Sequence, residues 1–405
     1  MRLFVPFLRK LVKVGRLTVV DADGTPHVFE GRPASGLRPS TIRLNDRQLH
    51  WRLAVQPALA AGEGYMDGGL TIEDGTLYDF LALAGENIQR ASDAAPPLTG
   101  VYGWLRRLQQ WNPASISRRN VEHHYDLTEA FFKLFLDSDR QYSCAYFNRP
   151  GLTLEEAQLA KKRHIMAKLL LERGQTVLDI GSGWGGLALT MAREAGVDVT
   201  GVTLSREQYA VAQQRAMEAQ LEQKVRFKLM DYRHVKGPFD RIVSIGMFEH
   251  VGINHYRTFF KRVRELLCEN GVALIHAIGR TSGPGITNPW IRKYIFPGGY
   301  SPALSEVLPA VENAGLVVTD VEVLRSHYAD TLRQWSERFA RRRDQAVALY
   351  NESFCRMWEF YLAGAEVAFR HMDHMVWQLQ VSVGRDAVPH TRDYIYEVER
   401  SYPRS

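Results

Sequence analysis

The chain predicts an α/β protein: an open, mostly parallel sheet with helices on both faces and helical insertions, preceded by a smaller N-terminal domain. Three observations predict it. From about residue 153, short apolar runs alternate with stretches of helical period, the pattern of a sheet wound with crossover helices. One strand-like run leads straight into the glycine-rich Gly181-Ser182-Gly183-Trp184-Gly185-Gly186. The first 90 residues and the aromatic stretch after residue 330 lack the alternation.

Within residues 1–90, Leu17–Val20 reads as a strand before the turn Asp21-Ala22-Asp23-Gly24, and Leu77–Ile88 as a helix. Residues 1–20 carry five basic side chains (Arg2, Arg9, Lys10, Lys13, Arg16) and no acidic one. On a helical wheel Phe4, Phe7, Leu8, Leu11 and Val14 fall on one side; Arg2, Arg9, Lys13 and Arg16 fall on the other. Such a segment either lies in the headgroup plane of an anionic membrane or packs on its own domain. Pro6 limits a helix at its start. Ala91–Gly100, with Pro96-Pro97, reads as a linker, and Trp104–Trp111 as a helix. The expected division is an N-terminal substrate- or membrane-associating domain at 1–90, a linker at 91–118 and a catalytic domain at 119–395.

In the catalytic part, Thr176–Ile180, Val197–Thr203, Val225–Met230, Arg241–Ile245 and Val272–Ala277 read as strands. Gly185–Ala195, Ser205–Leu221 and His255–Leu267 read as the helices between them, with Ser205 a candidate N-cap. Ligands of such sheets sit at the carboxyl ends of the strands. Beyond residue 330 the chain reads as helix-rich. Trp335, Phe339, Tyr350, Phe354, Trp358, Phe360, Tyr361, Phe369 and Trp377 are core candidates. His371 and His374 fall on a helix face. Arg338, Arg341, Arg342 and Arg343 form either a solvated face or a contact with lipid headgroups.

The 405 residues, 45% hydrophobic and 24% charged, supply enough apolar material for two or three globular domains. A net charge of +6 suits an anionic partner, whether nucleic acid or a phospholipid surface. The three cysteines, Cys144, Cys268 and Cys355, lie too far apart for a C-x-x-C site and fit a reducing cytoplasm. No apolar run reaches the roughly 18–20 residues that span a bilayer, and the N-terminus lacks the apolar core of a signal peptide.

The strand-to-glycine junction Val177-Leu178-Asp179-Ile180-Gly181-Ser182-Gly183 carries the strongest local signal. Glycine allows a sharp turn and close approach of a ligand to the main chain, and the following helix offers a positive N-terminus. Gly181, Gly183 and Gly186 also satisfy G-x-G-x-x-G, so a dinucleotide site competes. Such a site wants a carboxylate at the end of the second strand. Here that strand ends Gly201-Val202-Thr203-Leu204-Ser205, with no acid before Glu207. Asp179, ahead of the glycines, suits a methyltransferase loop instead.

Several blocks, in order, resemble the cyclopropane-fatty-acyl-phospholipid synthase family and its mycolic-acid relatives. They are His124-Tyr125-Asp126-Leu127, Gln141-Tyr142-Ser143-Cys144-Ala145-Tyr146-Phe147, the glycine loop, and Gly201 to Ser205. Asp231-Tyr232-Arg233, Ser244 to Gly252, His276-Ala277-Ile278-Gly279, Lys293 to Gly299, and Tyr328 before Thr331-Leu332 follow. The likeness covers roughly residues 120–380. Residues 1–110 look like the extra domain of the phospholipid enzymes, which favours intact phospholipid as substrate. Ser182 stands where the family usually has cysteine. Both are small, and little consequence is expected.

The resemblance implies a Rossmann-like class I methyltransferase fold and S-adenosylmethionine as cosubstrate. Carried over by position, the cofactor pocket comprises Tyr142, Ser143, Asp179, Gly181, Ser182, Gly183, Thr203, Leu204, Ser205, Gln208, Asp231 and Tyr232. The resemblance also implies a bicarbonate ion held by Cys144, Glu249, His276, Ile278 and Tyr328. The implied partner is unsaturated phospholipid, met by a cytoplasmic enzyme peripheral on the inner face of the membrane. Homodimers are frequent in the family, and the sequence does not test this.

The chemistry explains these groups. A cis double bond that attacks an electrophilic methyl becomes a carbocation, and ring closure then needs loss of a proton. The site must be dry, must stabilise positive charge and must hold a base. Tyr142, Tyr146, Phe147, Phe248 and Tyr328 are candidates for facing the cation. A bound bicarbonate serves as base without risk of alkylating a side chain. Plainer readings stand beside these. Cys144 is otherwise a small buried side chain, Glu249 and His250 a helix cap, and His276 a core histidine. The pair His123–His124 lacks a third ligand, so no metal is expected. Neither N-P-P-Y nor a Pro-Cys nucleophile is present, so nucleic acid is not the expected acceptor.

Overall fold

The computed structural model describes residues 1, 4–93 and 127–402. In chain order its elements are α1 (Phe4–Leu11), β1 (Arg16–Val20), β2 (Pro26–Glu30), β3 (Ser40–Leu44), α2 (Leu49–Val55), α3 (Pro57–Met66), β4 (Leu70–Asp74) and α4 (Leu77–Asp93). Next come α5 (Glu129–Phe132), α6 (Leu154–Lys168), β5 (Thr176–Ile180), α7 (Gly186–Ala195), β6 (Asp198–Thr203), α8 (Arg206–Glu218), β7 (Val225–Leu229), β8 (Phe239–Ile245), α9 (Tyr256–Leu266) and β9 (Leu267–Arg280). The chain ends with α10 (Pro289–Tyr294), α11 (Leu304–Asn313), β10 (Val317–Val323), α12 (His327–Arg341), α13 (Arg343–Leu349), α14 (Glu352–His371), β11 (His374–Ser382) and α15 (Asp393–Ser401). The helix expected at Trp104–Trp111, most of the linker, and His123 and His124 lie outside the described residues.

Two compact units emerge. One gathers Met1–Gly100, Thr287–Pro297 and Leu332–His374; the other gathers Val101–Ile286, Gly298–Thr331 and Met375–Ser405. The unbroken catalytic domain expected at 119–395 is therefore not how the chain groups, because α13 and α14 cluster with the N-terminal elements.

The second unit is built on a seven-stranded sheet of order β10-β11-β9-β8-β5-β6-β7. β5 pairs parallel with β6 and β8, β6 with β7, and β8 with β9; β10 and β11 pair antiparallel. Successive residues of the central strands feed opposite cores, as the two-residue period of a strand requires. Leu178, Ile242 and Ala273 pack with Phe259, Val263 and Val311, whereas Val177, Val243 and Leu274 pack with Ile165, Leu187 and Ala212. Burial on both faces explains the continuous apolar runs. Thr153 and Glu156 form a capping box at the start of α6, and Ser205 accepts from Gln208 N at α8, as expected.

β11 corrects the helix-rich reading beyond residue 330. Trp377 and His374 sit on β11, not on a helix; His371 ends α14. β11 is buried along nearly its whole length, so His-Met-Val-Trp-Gln-Leu-Gln-Val-Ser shows no inside–outside alternation. Of the nine aromatic core candidates, Trp335, Phe339, Trp358, Phe360, Tyr361 and Trp377 are buried.

The other unit carries a four-stranded sheet of order β2-β1-β3-β4. Phe4 and Leu8 of α1 enter its core with Leu17, Leu44 and Leu83. The apolar face of α1 is thus covered by its own unit, which decides for packing against a free amphipathic anchor. Beyond α1, the buried Asn87 accepts from Lys13 N and Val14 N and donates to Val14 O and Leu83 O. Arg343 is tied to Glu352 and Glu359 rather than held out for headgroups.

Candidate active site

The site forms where the sheet's carboxyl edge meets the glycine loop. β5 delivers Asp179 and Ile180, and the chain turns at Gly181, whose φ of +83° belongs to the left-handed region. A Cβ there would lie 2.9 Å from the Cβ of Met247. Gly181 N and Ser182 N both donate to Val202 O, at 2.9 and 3.0 Å, tying the loop to β6. Gly186 opens α7 under the Asp139 carboxylate, which a Cβ would meet at 2.3 Å. Lys162 and Arg215 neutralise that carboxylate.

A cleft with about 840 Å³ of empty space, part of it open to solvent, lies over this edge. Gly181, Gly183, Thr203, Leu204, Gln208, Asp231 and Tyr232 line it, as do Arg233, Gly246, Met247, His250 and His255, which the sequence reading missed. Thr203 Oγ1 donates to Gln208 Oε1 at 3.0 Å. The Asp231 carboxylate accepts from Arg233 through both oxygens. Burial alone would raise its pKa, but Arg233 outweighs burial and lowers it. Tyr142, Ser143, Asp179, Ser182 and Ser205 do not line the cleft itself. Ser205 caps α8, and Tyr142 packs edge-on to Phe132 at 5.2 Å.

Behind the loop is a buried polar group. Lys161, 1% exposed, donates to Gln141 Oε1 at 2.7 Å and Ser143 Oγ at 2.9 Å. Burial lowers its pKa to about 8. Burial likewise raises Asp179 to about 7, against the pull of the Lys161 charge. Asp179 Oδ2 and Ser182 Oγ are enclosed without a hydrogen-bond partner. Each of these atoms needs a partner that the chain does not supply, a ligand or a water. An amino acid's ammonium needs acceptors such as Asp179, and its carboxylate needs donors such as Ser143 and Ser182. The residues therefore fit the methionine end of S-adenosylmethionine. Lys161 escaped the sequence reading because a lysine in α6 resembles any surface lysine. Glu207, the nearest acid to the end of β6, accepts instead from Glu129 N at 2.7 Å.

The second group sits at the ends of β8 and β9. Glu249 Oε1 accepts from Ile278 N at 2.7 Å, while Glu249 Oε2 is enclosed without a partner. Burial raises the carboxyl to about 7, although the Ile278 N–H opposes this. His276 lies opposite Ile245 in register and is 2% exposed. Its Nδ1 lies 3.2 Å from Gln378 Nε2. With the Gln378 amide in this orientation its nitrogen donates, which assigns Nδ1 as acceptor and the ring proton to Nε2. Burial, with the charges of Lys161, Lys168 and His164, lowers His276 to about 3, so the ring is neutral. Gln378 lies on the unforeseen strand β11. A small oxyanion bearing one hydroxyl fits this set: Glu249 Oε2 accepts and His276 Nε2–H donates.

Cys144 and Tyr328 lie on two segments joined by a hydrogen bond. Ala145 N donates to Thr331 Oγ1 at 3.0 Å, one turn beyond Tyr328 on α12. Both Cys144 and Tyr328 are buried. Cys144 Sγ donates to Ala145 O, and burial pushes the thiol pKa far up, so no thiolate nucleophile is available. Among the described residues, no group of three or more His, Cys, Asp or Glu could hold a metal ion.

A parallel sheet with a glycine loop after its first strand, an acidic residue preceding that loop and a cleft at the carboxyl edge define an S-adenosylmethionine-dependent methyltransferase. The sequence profile of the mycolic acid cyclopropane synthetase family matches residues 114–379, and the chain belongs to that family. It is 38% identical to the cyclopropane-fatty-acyl-phospholipid synthase of Escherichia coli K12, over 87% of this chain and 91% of that one. It is 41% identical to a probable fatty acid methyltransferase of Pseudomonas putida, over 68% of this chain and 73% of that one. The crystal structure of mycolic acid cyclopropane synthase CmaA1 complexed with SAH and CTAB superposes with a TM-score of 0.62 at 37% identity, covering 65% of this chain and 98% of that one.

Proposed function

We propose that the chain transfers a methylene group from S-adenosylmethionine to the cis double bond of unsaturated acyl chains in membrane phospholipids, closing a cyclopropane ring. The observation that carries this reading is the enclosed, unpartnered Glu249 Oε2, on a carboxylate tied to Ile278 N of the strand that also carries the neutral His276. S-adenosylmethionine supplies an electrophilic methyl when bound, and bicarbonate supplies the base. The chain's own groups do the rest. Asp179, Ser143 and Ser182 bind the methionine end, with Lys161 holding Ser143 in place. Glu249 accepts from the oxyanion's hydroxyl, Ile278 N–H orients Glu249, and His276 and Tyr328 donate. The buried surroundings of Cys144 exclude water, which would otherwise quench a carbocation on the acyl chain.

The long match to the E. coli enzyme supports a phospholipid acceptor, with the N-terminal unit as its substrate-associating part. A phospholipid acceptor implies work at the inner membrane face by a cytoplasmic, peripheral enzyme, and a homodimer is carried over from the family. Among the described residues no helix is long and apolar enough to cross a membrane. A second reading keeps the same methyl transfer but yields methyl-branched or hydroxylated chains; the name of the P. putida relative, a probable fatty acid methyltransferase, specifies no ring.

Mass spectrometry of mono-unsaturated anionic phospholipid vesicles, incubated with the protein and S-adenosylmethionine with and without bicarbonate, separates these. Cyclopropanation adds one CH2, about 14 mass units, with loss of the double bond and with bicarbonate dependence. An addition of about 16 or more supports the second reading, since the cation then gains hydride or water. Unchanged lipid, with cofactor bound, overturns both.

A further inference from the structure

We propose that His164 is a positioning residue for Tyr146 and that Glu399, on the C-terminal helix α15, holds His164 in that role. The far C-terminus then sets how the segment Gln141–Phe147 is presented to the site. The inference rests on the reading above, in which this segment borders the acyl chain.

Tyr146 follows Cys144 by two residues. Its backbone is pinned: Tyr146 N donates to Ala157 O at 3.0 Å, Ala145 N to Thr331 Oγ1 at 3.0 Å, and Phe147 N to His327 Nδ1 at 3.0 Å. The tilt of the ring is left to its neighbours. It stacks on His164 with centroids 4.3 Å apart and planes at 19°, and lies 5.2 Å from the His327 ring.

His164 is fully buried on α6, and both its nitrogens face carboxylates. Nε2 lies 2.6 Å from Glu322 Oε2, and Nδ1 meets Glu399 Oε1. Burial would raise Glu322, but the hydrogen bonds and charges of His164 and Lys168 outweigh it and hold that carboxyl well below the usual range. Carboxylates only accept, so His164 satisfies both as the doubly protonated imidazolium. A cation stacked on a phenol face is attracted to it. Lys168 reaches Asp320 at 3.2 Å and Glu322, and Arg392 reaches Asp320 at 2.8 Å. Three cations (His164, Lys168, Arg392) thus balance three carboxylates (Asp320, Glu322, Glu399) between α6, β10 and α15. The cluster is satisfied within itself: Arg392 forms its solvent-exposed edge, and the buried His164 ring lies under Tyr146. Losing Glu399 frees Nδ1 and lets the imidazole turn, and Tyr146 turns with it.

The test uses the full chain with 3-fluorotyrosine placed at position 146. Glu399→Ala should shift or broaden the fluorine NMR line without lowering cofactor affinity, whereas Glu399→Gln, which keeps an acceptor oxygen, should leave it near its original position. On phospholipid vesicles Glu399→Ala should lower kcat roughly tenfold with the KM for S-adenosylmethionine unchanged. In a Tyr146→Leu background the same substitution should change kcat by less than about twofold, because coupled residues are not additive. An unmoved fluorine line overturns the proposal, as does an equal kcat loss in both backgrounds. The fluorine line is read without lipid, so an enzyme inactive on every vesicle would discard the acyl-chain reading yet still leave the Glu399–Tyr146 coupling decided.

Discussion

Glu249 shows at the residue scale how a site opposes stability. Its carboxyl titrates near 7 in the folded chain, above the 4.5 of a free glutamate. The folded state therefore binds more protons than the unfolded chain between these values, and stability falls as pH rises through that window. Glu249→Gln keeps the acceptor for Ile278 N–H and removes the buried charge. Its stability relative to wild type should be near zero at about pH 4 and grow to the order of 1–3 kcal/mol by about pH 8, measured by denaturant unfolding at both pH values. The same variant should lose on the order of a hundredfold or more in activity, since a positioned proton-transfer site is lost. Gln378→Leu removes the donor that fixes the His276 tautomer. Its kcat should fall roughly tenfold at constant affinity for S-adenosylmethionine, checked by equilibrium binding beside steady-state rates. Glu249 and His276 were named as candidates from the family likeness. Gln378 and Lys161 were not, because glutamine in a strand and lysine in a helix carry no local mark of burial.

At the scale of elements, local signals and packing had unequal reach. β5, α7, β6 and α8 were legible within a residue or a few, because glycines, an N-cap serine and strong apolar runs mark their ends. Ser205→Ala should cost about 0.5–2 kcal/mol in thermal or denaturant unfolding through loss of the α8 cap. β11 was not legible, since a strand buried along nearly its whole length and carrying two glutamines has neither period. α1 was ambiguous by pattern alone: a basic amphipathic helix has the same sequence whether its apolar face meets lipid or a core. The buried Asn87, which ties the residues after α1 to α4, makes a further test. Asn87→Ala leaves Val14 N and O buried without partners and should destabilise by about 2–4 kcal/mol.

For the whole molecule, the N-terminal elements share a unit with α13 and α14 rather than forming a free-standing appendage. Deleting residues 1–11 withdraws Phe4 and Leu8 from a core and should lower the melting temperature by several degrees, consistent with about 2–5 kcal/mol for losing large buried side chains. An unchanged melting temperature would show that α1 adds nothing to its unit and would restore the membrane-anchor reading. By contrast, Arg9→Glu with Lys10→Glu changes only exposed charge and should leave melting within about 0.5 kcal/mol.

The sequence by itself determined the class of fold and the glycine loop with Asp179, and it named part of each candidate ligand group. Those signals are local: turn chemistry, strand and helix period, and short ordered motifs survive in one dimension. Tertiary structure alone decided which polar atoms were left enclosed without partners, which tautomer His276 adopts, that His164 stacks under Tyr146, and that α1 faces inward. Each of these depends on groups far apart in the chain, such as His276 with Gln378 or His164 with Glu399. Only folding brings such pairs within hydrogen-bond distance and removes the water that would otherwise screen and satisfy them.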